Sequence, residues 1–83
     1  MYEISWDERA LSELDKLEYL TARRIVKKVK ELEHGLSSSD VKRLQGAAEF
    51  RLRVGDYRVI FMLEKNTISI LKIGHRKNIY ERK

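Results

Sequence analysis

Arginine is concentrated in a short segment that otherwise has the pattern of two β-strands. Residues 49–61 read EFRLRVGDYRVIF, with arginines on both sides of a Gly55-Asp56 pair. If Gly55-Asp56 is a two-residue hairpin loop, alternation puts Arg51, Arg53 and Arg58 on one face of the hairpin. Arg53 then lies directly opposite Arg58, and such a like-charged pair costs about 0.2–1 kcal/mol. Because stability does not explain this arrangement, it favours a function in binding an anion.

A second reversal of the chain brings further polar residues toward the same face. A turn at Lys65-Asn66 pairs the strand that contains Arg58 with a third strand over residues 67–73. This register places Ile73 beside Arg58, so the Gly74-His75-Arg76 motif leaves the sheet next to the arginines. The predicted site is therefore one concave surface with six candidate catalytic residues: Arg51, Arg53, Arg58, His75, Arg76 and Tyr80.

Guanidinium groups in this arrangement suit metal-independent cleavage of a phosphodiester. A planar guanidinium binds phosphate oxygens in a bidentate manner and stabilises their charge in the transition state. RNA supplies its own nucleophile, the 2′-hydroxyl, so the protein needs only to orient it and to manage protons. Neighbouring cations favour the phenolate of Tyr80, which makes Tyr80 the candidate base, with His75 or Arg76 near the leaving oxygen.

Other chemistries lack their usual sequence signals. The predicted surface carries no cluster of carboxylates for a two-metal site. The sequence contains neither a phosphate-cradling Gly-x-x-x-x-Gly-Lys loop nor a nucleophile elbow. No cofactor and no metal are expected.

Hydrophobic periodicity predicts a helical hairpin in the first half of the chain. Residues 2–4 have the pattern of a short strand, and Ser5 or Asp7 can cap the helix that follows. Apolar residues then recur at helical spacing in two segments that are separated by a break near residues 18–21. Gly35 supplies the stop of the second helix.

The second half changes to a period of two. Three successive strands begin at Glu49, and the run 59–63 is apolar on both faces, as is usual for a central strand. The predicted fold is a small α+β domain of β-α-α-β-β-β order. Its helical hairpin packs on one face of an antiparallel sheet, and a basic tail follows the last strand.

Composition indicates a single soluble domain that spans residues 1–83. The chain has no cysteine, no signal-peptide pattern and no apolar run approaching the ~18 residues of a membrane span, which fits a cytoplasmic protein with no membrane partner. Charge is uneven, because residues 1–41 hold 7 Lys/Arg against 9 Asp/Glu, whereas residues 42–83 hold 11 against 4. This asymmetry suggests that an acidic partner or a polyanion meets the second half.

An apolar strip is predicted beside the arginines. The same register places Ile60, Met62, Leu71 and Ile73 on the arginine side of the sheet. A strip of this kind, left bare, would invite a partner segment. An acidic amphipathic chain could cover it and pair with the cations.

These residues resemble a known family. The segments KRLQGAAEFRLRVGDYRVIFML and LKIGHRKNIY, with the helix start Ala10-Leu11-x-x-Leu14-x-x-Leu17, are similar to the RelE toxins of the RelE/ParE toxin–antitoxin superfamily. The resemblance implies a ribosome-dependent endoribonuclease that cuts messenger RNA in the decoding site and is neutralised by a cognate, RelB-like antitoxin. It also implies contact with operator DNA only through the toxin–antitoxin complex.

The resemblance assigns roles to individual positions. Arg58 and Arg76 match the phosphate-binding arginines of the family, and Tyr80 matches its C-terminal tyrosine. Arg51 and Arg53 stand where RelE members carry lysines, so they keep the charge but remove a group that could deprotonate.

The ParE branch, which poisons DNA gyrase, shares the fold without the ribonuclease residues. A gyrase-directed toxin and a basic RNA- or protein-binding module remain the alternatives.

Overall fold

The computed structural model describes residues 1–44 and 48–79 of the chain. The elements follow one another in the order that the sequence predicts, with one additional strand. They are β1 (Glu3–Trp6), α1 (Glu8–Asp15), α2 (Tyr19–Glu31), a 3-10 turn (Leu32–His34), β2 (Val41–Arg43), β3 (Glu49–Val54), β4 (Tyr57–Glu64) and β5 (Thr67–His75).

Local signals in the sequence set the helix boundaries. Asp7 caps α1, since its Oδ1 accepts a hydrogen bond from the backbone amide of Arg9 at 2.9 Å. Glu18 caps α2 in the same way through the amide of Thr21. Gly35 ends the helical region with φ 136°, a conformation that a residue with a Cβ rarely adopts.

The five strands form one mixed sheet in the order β1-β5-β4-β3-β2. All neighbours are antiparallel, as predicted, except β1 and β5, which run parallel. The apolar run of β4 does lie at the centre of the sheet, as predicted. Strand β2 was missed because it has three residues, of which only Val41 is apolar.

The hydrophobic core fills the space between the helices and one face of the sheet, which we call the inner face. Both helices contribute buried residues, and Phe61, Ile68 and Ile70 are fully buried at the centre. The opposite, outer face of the sheet carries the arginines. Neither helix in the described part of the chain combines the length and the apolar composition that a bilayer span requires.

A β-bulge in β5 decides which residues reach the outer face. Near the β4–β5 turn, Phe61 pairs with Ile70, as predicted. The next pair is Ile60 with Lys72, so the ladder skips Leu71 and the phase of β5 shifts by one residue. From the bulge onward, Lys72 and Gly74 lie on the outer face, and Ile73 and His75 lie on the inner face.

Candidate functional site

The β3–β4 hairpin has the register that the sequence predicts. Arg53 pairs with Arg58 directly across the strands, and Arg51 pairs with Ile60. Val54 pairs with Tyr57 at the Gly55-Asp56 turn, where Gly55 has φ 59°. Three arginines therefore start from neighbouring positions on the outer face.

Arg58 is fixed by its own hairpin. Its Nη1 donates hydrogen bonds to the carbonyl oxygens of Gly55 and Tyr57, both at 2.9 Å. Its Nε is buried and has no hydrogen-bond partner among the described residues. A buried donor that is left unpaired costs free energy, so this N–H is available to an incoming acceptor such as a phosphate oxygen.

Arg53 is held at the edge of the outer face by Asp40. Its Nη2 lies 2.9 Å and its Nε 3.2 Å from Asp40 Oδ1, while Lys28 Nζ donates to Oδ2. The hydrogen bonds from Lys28 and then from Arg53 lower the pKa of the Asp40 carboxyl below its ordinary value. Arg53 therefore shares the face of Arg58, but its guanidinium already has an anionic partner.

Arg76 lies beside the hairpin turn. Its backbone amide donates to the carbonyl oxygen of Asp56 at 2.8 Å, and its Nε is 3.7 Å from Asp56 Oδ1. Both side chains are exposed, so the ion pair is easily exchanged for another anion. Because Arg58 binds the carbonyl of the adjacent Gly55, the two arginines contact the same turn.

The prediction that His75 joins the arginines is wrong. His75 pairs across the strands with Tyr57 on the inner face, and the two rings meet edge to face with centroids 5.5 Å apart. Its Nδ1 accepts a hydrogen bond from the backbone amide of Lys77 at 3.2 Å. The physical reason is the β-bulge at Leu71. It places residues 72–75 of β5 on the opposite faces of the sheet from those that the sequence predicted.

The predicted apolar strip is altered by the same shift. Ile73 does not extend the strip but belongs to the buried core. Ile60 does lie on the outer face, yet only 7% of its surface is exposed. Ile79, which is 6% exposed, folds back over the outer face at Gly74. A Cβ added at Gly74 would point to that face and would lie 2.9 Å from Ile79 Cδ1. Tyr80, the candidate base, lies outside the described residues.

Lys72 is a cation of the outer face that the sequence reading missed. It pairs with Ile60 of β4 from the β5 side, whereas Arg51 pairs with Ile60 from the β3 side. A signal for it does exist, because the apolar positions Ile68 and Ile70 of β5 are followed by Ile73, which breaks the period of two. A break in phase of this kind is typical of a bulge.

Glu13 of α1 stabilises the bulged part of β5. β1 ends at Trp6, opposite Ile70, so α1 lies along the edge of β5 beyond that point. There, Glu13 Oε1 accepts a hydrogen bond from the backbone amide of Ile73 at 2.6 Å. The carboxylate thus satisfies a donor that a longer β1 would have bound.

The described residues contain no group of three or more His, Cys, Asp or Glu side chains that could hold a metal ion. Around the hairpin, the outer face carries the cations Lys42, Arg51, Arg53, Arg58 and Lys72, with Arg76 at the adjoining turn and Glu49 at the start of β3.

Comparison with known proteins assigns the family. The family described as "ParE toxin of type II toxin-antitoxin system, parDE" matches residues 4–80, nearly the whole chain. The chain belongs to the RelE/ParE toxin superfamily. Its membership confirms the resemblance drawn from the sequence. No curated protein sequence matches this RelE/ParE toxin significantly.

Solved structures of RelE toxins share the fold. The archaeal RelE–RelB complex from Pyrococcus horikoshii OT3 is similar at 28% identity and a TM-score of 0.81, over 93% of this chain and 97% of that chain. The RelB–RelE complex from Methanococcus jannaschii is similar at 25% identity and a TM-score of 0.78, over 92% and 94%. The isolated E. coli RelE toxin, at 24% identity and a TM-score of 0.78, covers 100% of this chain and 88% of its own. The RelE-like α+β fold of this toxin is therefore confirmed.

Proposed function

We propose that this type II toxin is a ribosome-dependent endoribonuclease that cleaves messenger RNA without a metal ion. The observation that carries the proposal is the like-charged pair Arg53–Arg58 on the outer face, with Arg51 beside it. Asp40 offsets the charge of Arg53 from one side, and a phosphate bound between the two guanidinium groups would attract both. The buried, unpartnered Nε–H of Arg58 supports the same conclusion.

The proposed reaction is a transesterification within the RNA. A base removes the proton of the 2′-hydroxyl, whose oxygen attacks the adjacent phosphorus; the bond to the 5′-oxygen breaks, and that oxygen takes up a proton. The products are a 2′,3′-cyclic phosphate and a free 5′-hydroxyl. Arg58 holds the scissile phosphate, with Arg51 and Arg53 stabilising the charge on its oxygens.

Two residues are proposed to act on the attacking 2′-hydroxyl and on the leaving 5′-oxygen. Tyr80 acts as the base, in keeping with its place in the family motif. Of the two candidates for the leaving oxygen, Arg76 is favoured, since its side chain adjoins the turn that anchors Arg58, whereas His75 packs against Tyr57 on the inner face. Arg76 would donate a hydrogen bond to the 5′-oxygen, and the proton would come from solvent.

The proposed partner is a RelB-like antitoxin. Solved relatives from two archaea are complexes of RelE with RelB. On this chain an acidic amphipathic segment would pair with the outer-face cations and take the place of the segment around Ile79 that covers Gly74. Contact with operator DNA would occur through that complex.

Primer extension on a transcript bound to programmed ribosomes tests the proposal. The toxin should produce cuts in the decoding site that persist in EDTA, and Arg58→Ala or Arg76→Ala should abolish them while circular dichroism shows an intact fold. Purified antitoxin should suppress the cuts. Growth arrest without any cleavage of ribosome-bound message would contradict the proposal.

The second candidate is a gyrase-directed toxin, which is favoured by the match to the ParE family. It predicts inhibition of DNA supercoiling by purified gyrase, together with intact messenger RNA. Running both assays on one preparation separates the two functions, because each predicts activity in one assay only.

A further inference from the structure

We infer that Lys72 is a further RNA-contacting residue of this toxin, one that binds a backbone phosphate next to the scissile phosphate. The inference rests on the proposed ribonuclease function. It arises from the bulge, which moves Lys72 onto the outer face and Ile73 off it.

The outer face is a small grid of two rows across three strands. One row contains Arg51, Ile60 and Lys72, extended on β2 by Lys42, and the next contains Arg53, Arg58 and Gly74. Neighbouring strands are about 4.8 Å apart, so the Cα atoms of Arg51 and Lys72 are separated by about 10 Å, and the rows by about 7 Å. Lys72 therefore extends the arginine face toward β5, within reach of a strand of RNA whose scissile phosphate is held by Arg58.

Two contacts of the next residue, Ile73, fix the backbone at Lys72. The hydrogen bond from the Ile73 amide to Glu13 holds the backbone just after Lys72, and Ile73 itself is 4% exposed in the core. A lysine that served only solubility would need neither the bulge nor this support. Together with Lys42, Arg51, Arg53 and Arg58, Lys72 gives this part of the outer face five basic side chains, which suits a polyanionic ligand.

The chemistry of lysine suits a supporting contact. Its ammonium is a point charge on a flexible four-carbon stem, so it accepts a phosphate whose orientation is not fixed, whereas the forks of the arginines orient the reacting group. Lys72 should therefore contribute to binding of the substrate and little to the chemical step.

The experiment compares Lys72→Met, Lys72→Arg and Lys65→Met. Lys72→Met keeps the length of the side chain and removes its charge, while Lys65→Met removes a charge from the β4–β5 turn, at the opposite end of the strand from the Gly55-Asp56 turn. Cleavage of message on programmed ribosomes is measured at several salt concentrations, with thermal unfolding of each variant alongside.

The expected result is a rise of about tenfold in KM for Lys72→Met, with kcat within about twofold of the wild type. The slope of log(kcat/KM) against log salt should fall by about 0.7 to 1, the change expected for the loss of one phosphate contact. Lys72→Arg should restore both values, and Lys65→Met should behave as the wild type.

Four results would overturn the inference. If Lys72→Met matches the wild type while Arg58→Ala is inactive, the inference is wrong and the proposed function stands. If Lys72→Met and Lys72→Arg are equally impaired and melt earlier, the side chain only packs over Ile60. If Lys72→Met loses antitoxin binding alone, the contact belongs to the antitoxin. If the wild type does not cleave, the proposed function fails and the inference fails with it.

Discussion

The Glu13 carboxylate accepts a hydrogen bond from the backbone amide of Ile73, with 2.6 Å between Oε1 and the nitrogen. Removing the acceptor leaves this part-buried amide unsatisfied. Glu13→Ala should therefore lower the free energy of unfolding by about 1–3 kcal/mol, as measured by urea denaturation. Glu13→Gln should lose less, because the amide oxygen still accepts.

Arg9→Ala serves as the control for this prediction. Arg9 Nε lies 3.7 Å from Glu13 Oε2, an exposed i,i+4 ion pair that should contribute less than about 0.5 kcal/mol. If Arg9→Ala were as destabilising as Glu13→Ala, the ion pair and not the β5 amide would explain the effect.

Asp40 should make stability depend on pH in the acid range. Lys28 and Arg53 lower the pKa of its carboxyl from an ordinary value of 3.8, so the folded state binds this proton less tightly than the unfolded state does. The stabilisation is therefore fully present above the unfolded value and is lost as the pH falls through the lower folded value. The difference in unfolding free energy between wild type and Asp40→Asn should be constant near neutrality and shrink below about pH 4. A difference that grew on acidification would contradict this assignment.

Gly74→Ala should affect activity more than stability. The added Cβ would meet Ile79 Cδ1 at 2.9 Å, and rotation of that side chain should cost about 1 kcal/mol. The residues that follow Gly74 would shift, however, and displacement of a reacting group by about 1 Å can lower the rate by about 10²-fold. Primer extension and thermal unfolding measure the two effects separately.

A second substitution provides the matched control. Ile79→Val removes the clashing Cδ1 atom, so the double variant Gly74→Ala/Ile79→Val should regain cleavage that Gly74→Ala has lost. Failure of this rescue would show that the contact between the two residues does not position the tail.

His75→Ala should leave RNA cleavage nearly unchanged. The imidazole packs against Tyr57 on the inner face, so its loss should cost about 0.5–1.5 kcal/mol of stability. Tyr80→Phe, measured beside it, should lower the cleavage rate without a comparable loss of stability. A large drop in the rate for His75→Ala at an unchanged KM would restore the histidine to the reaction.

The register of the hairpins could be predicted because hydrophobic alternation and tight turns both specify it. Placing Phe61 opposite Ile70 buries both side chains, and a slip by one residue would expose them. The bulge was missed because strict alternation was continued beyond Ile70, although the apolar period breaks between Ile70 and Ile73. The local break in period marks a bulge but not its exact position, and the contact from Glu13 to the Ile73 amide, which supports the observed position, comes from a distant part of the sequence.

The parallel pairing of β1 with β5 has a consequence for how the toxin is made. Residues 3–6 pair with residues 67–70, so β1 cannot pair with β5 until β5 has left the ribosome. Stalled nascent chains of increasing length, probed with protease, should become resistant only once both segments are exposed. A cell that produces this toxin must therefore translate through β5 before β1 can join the sheet.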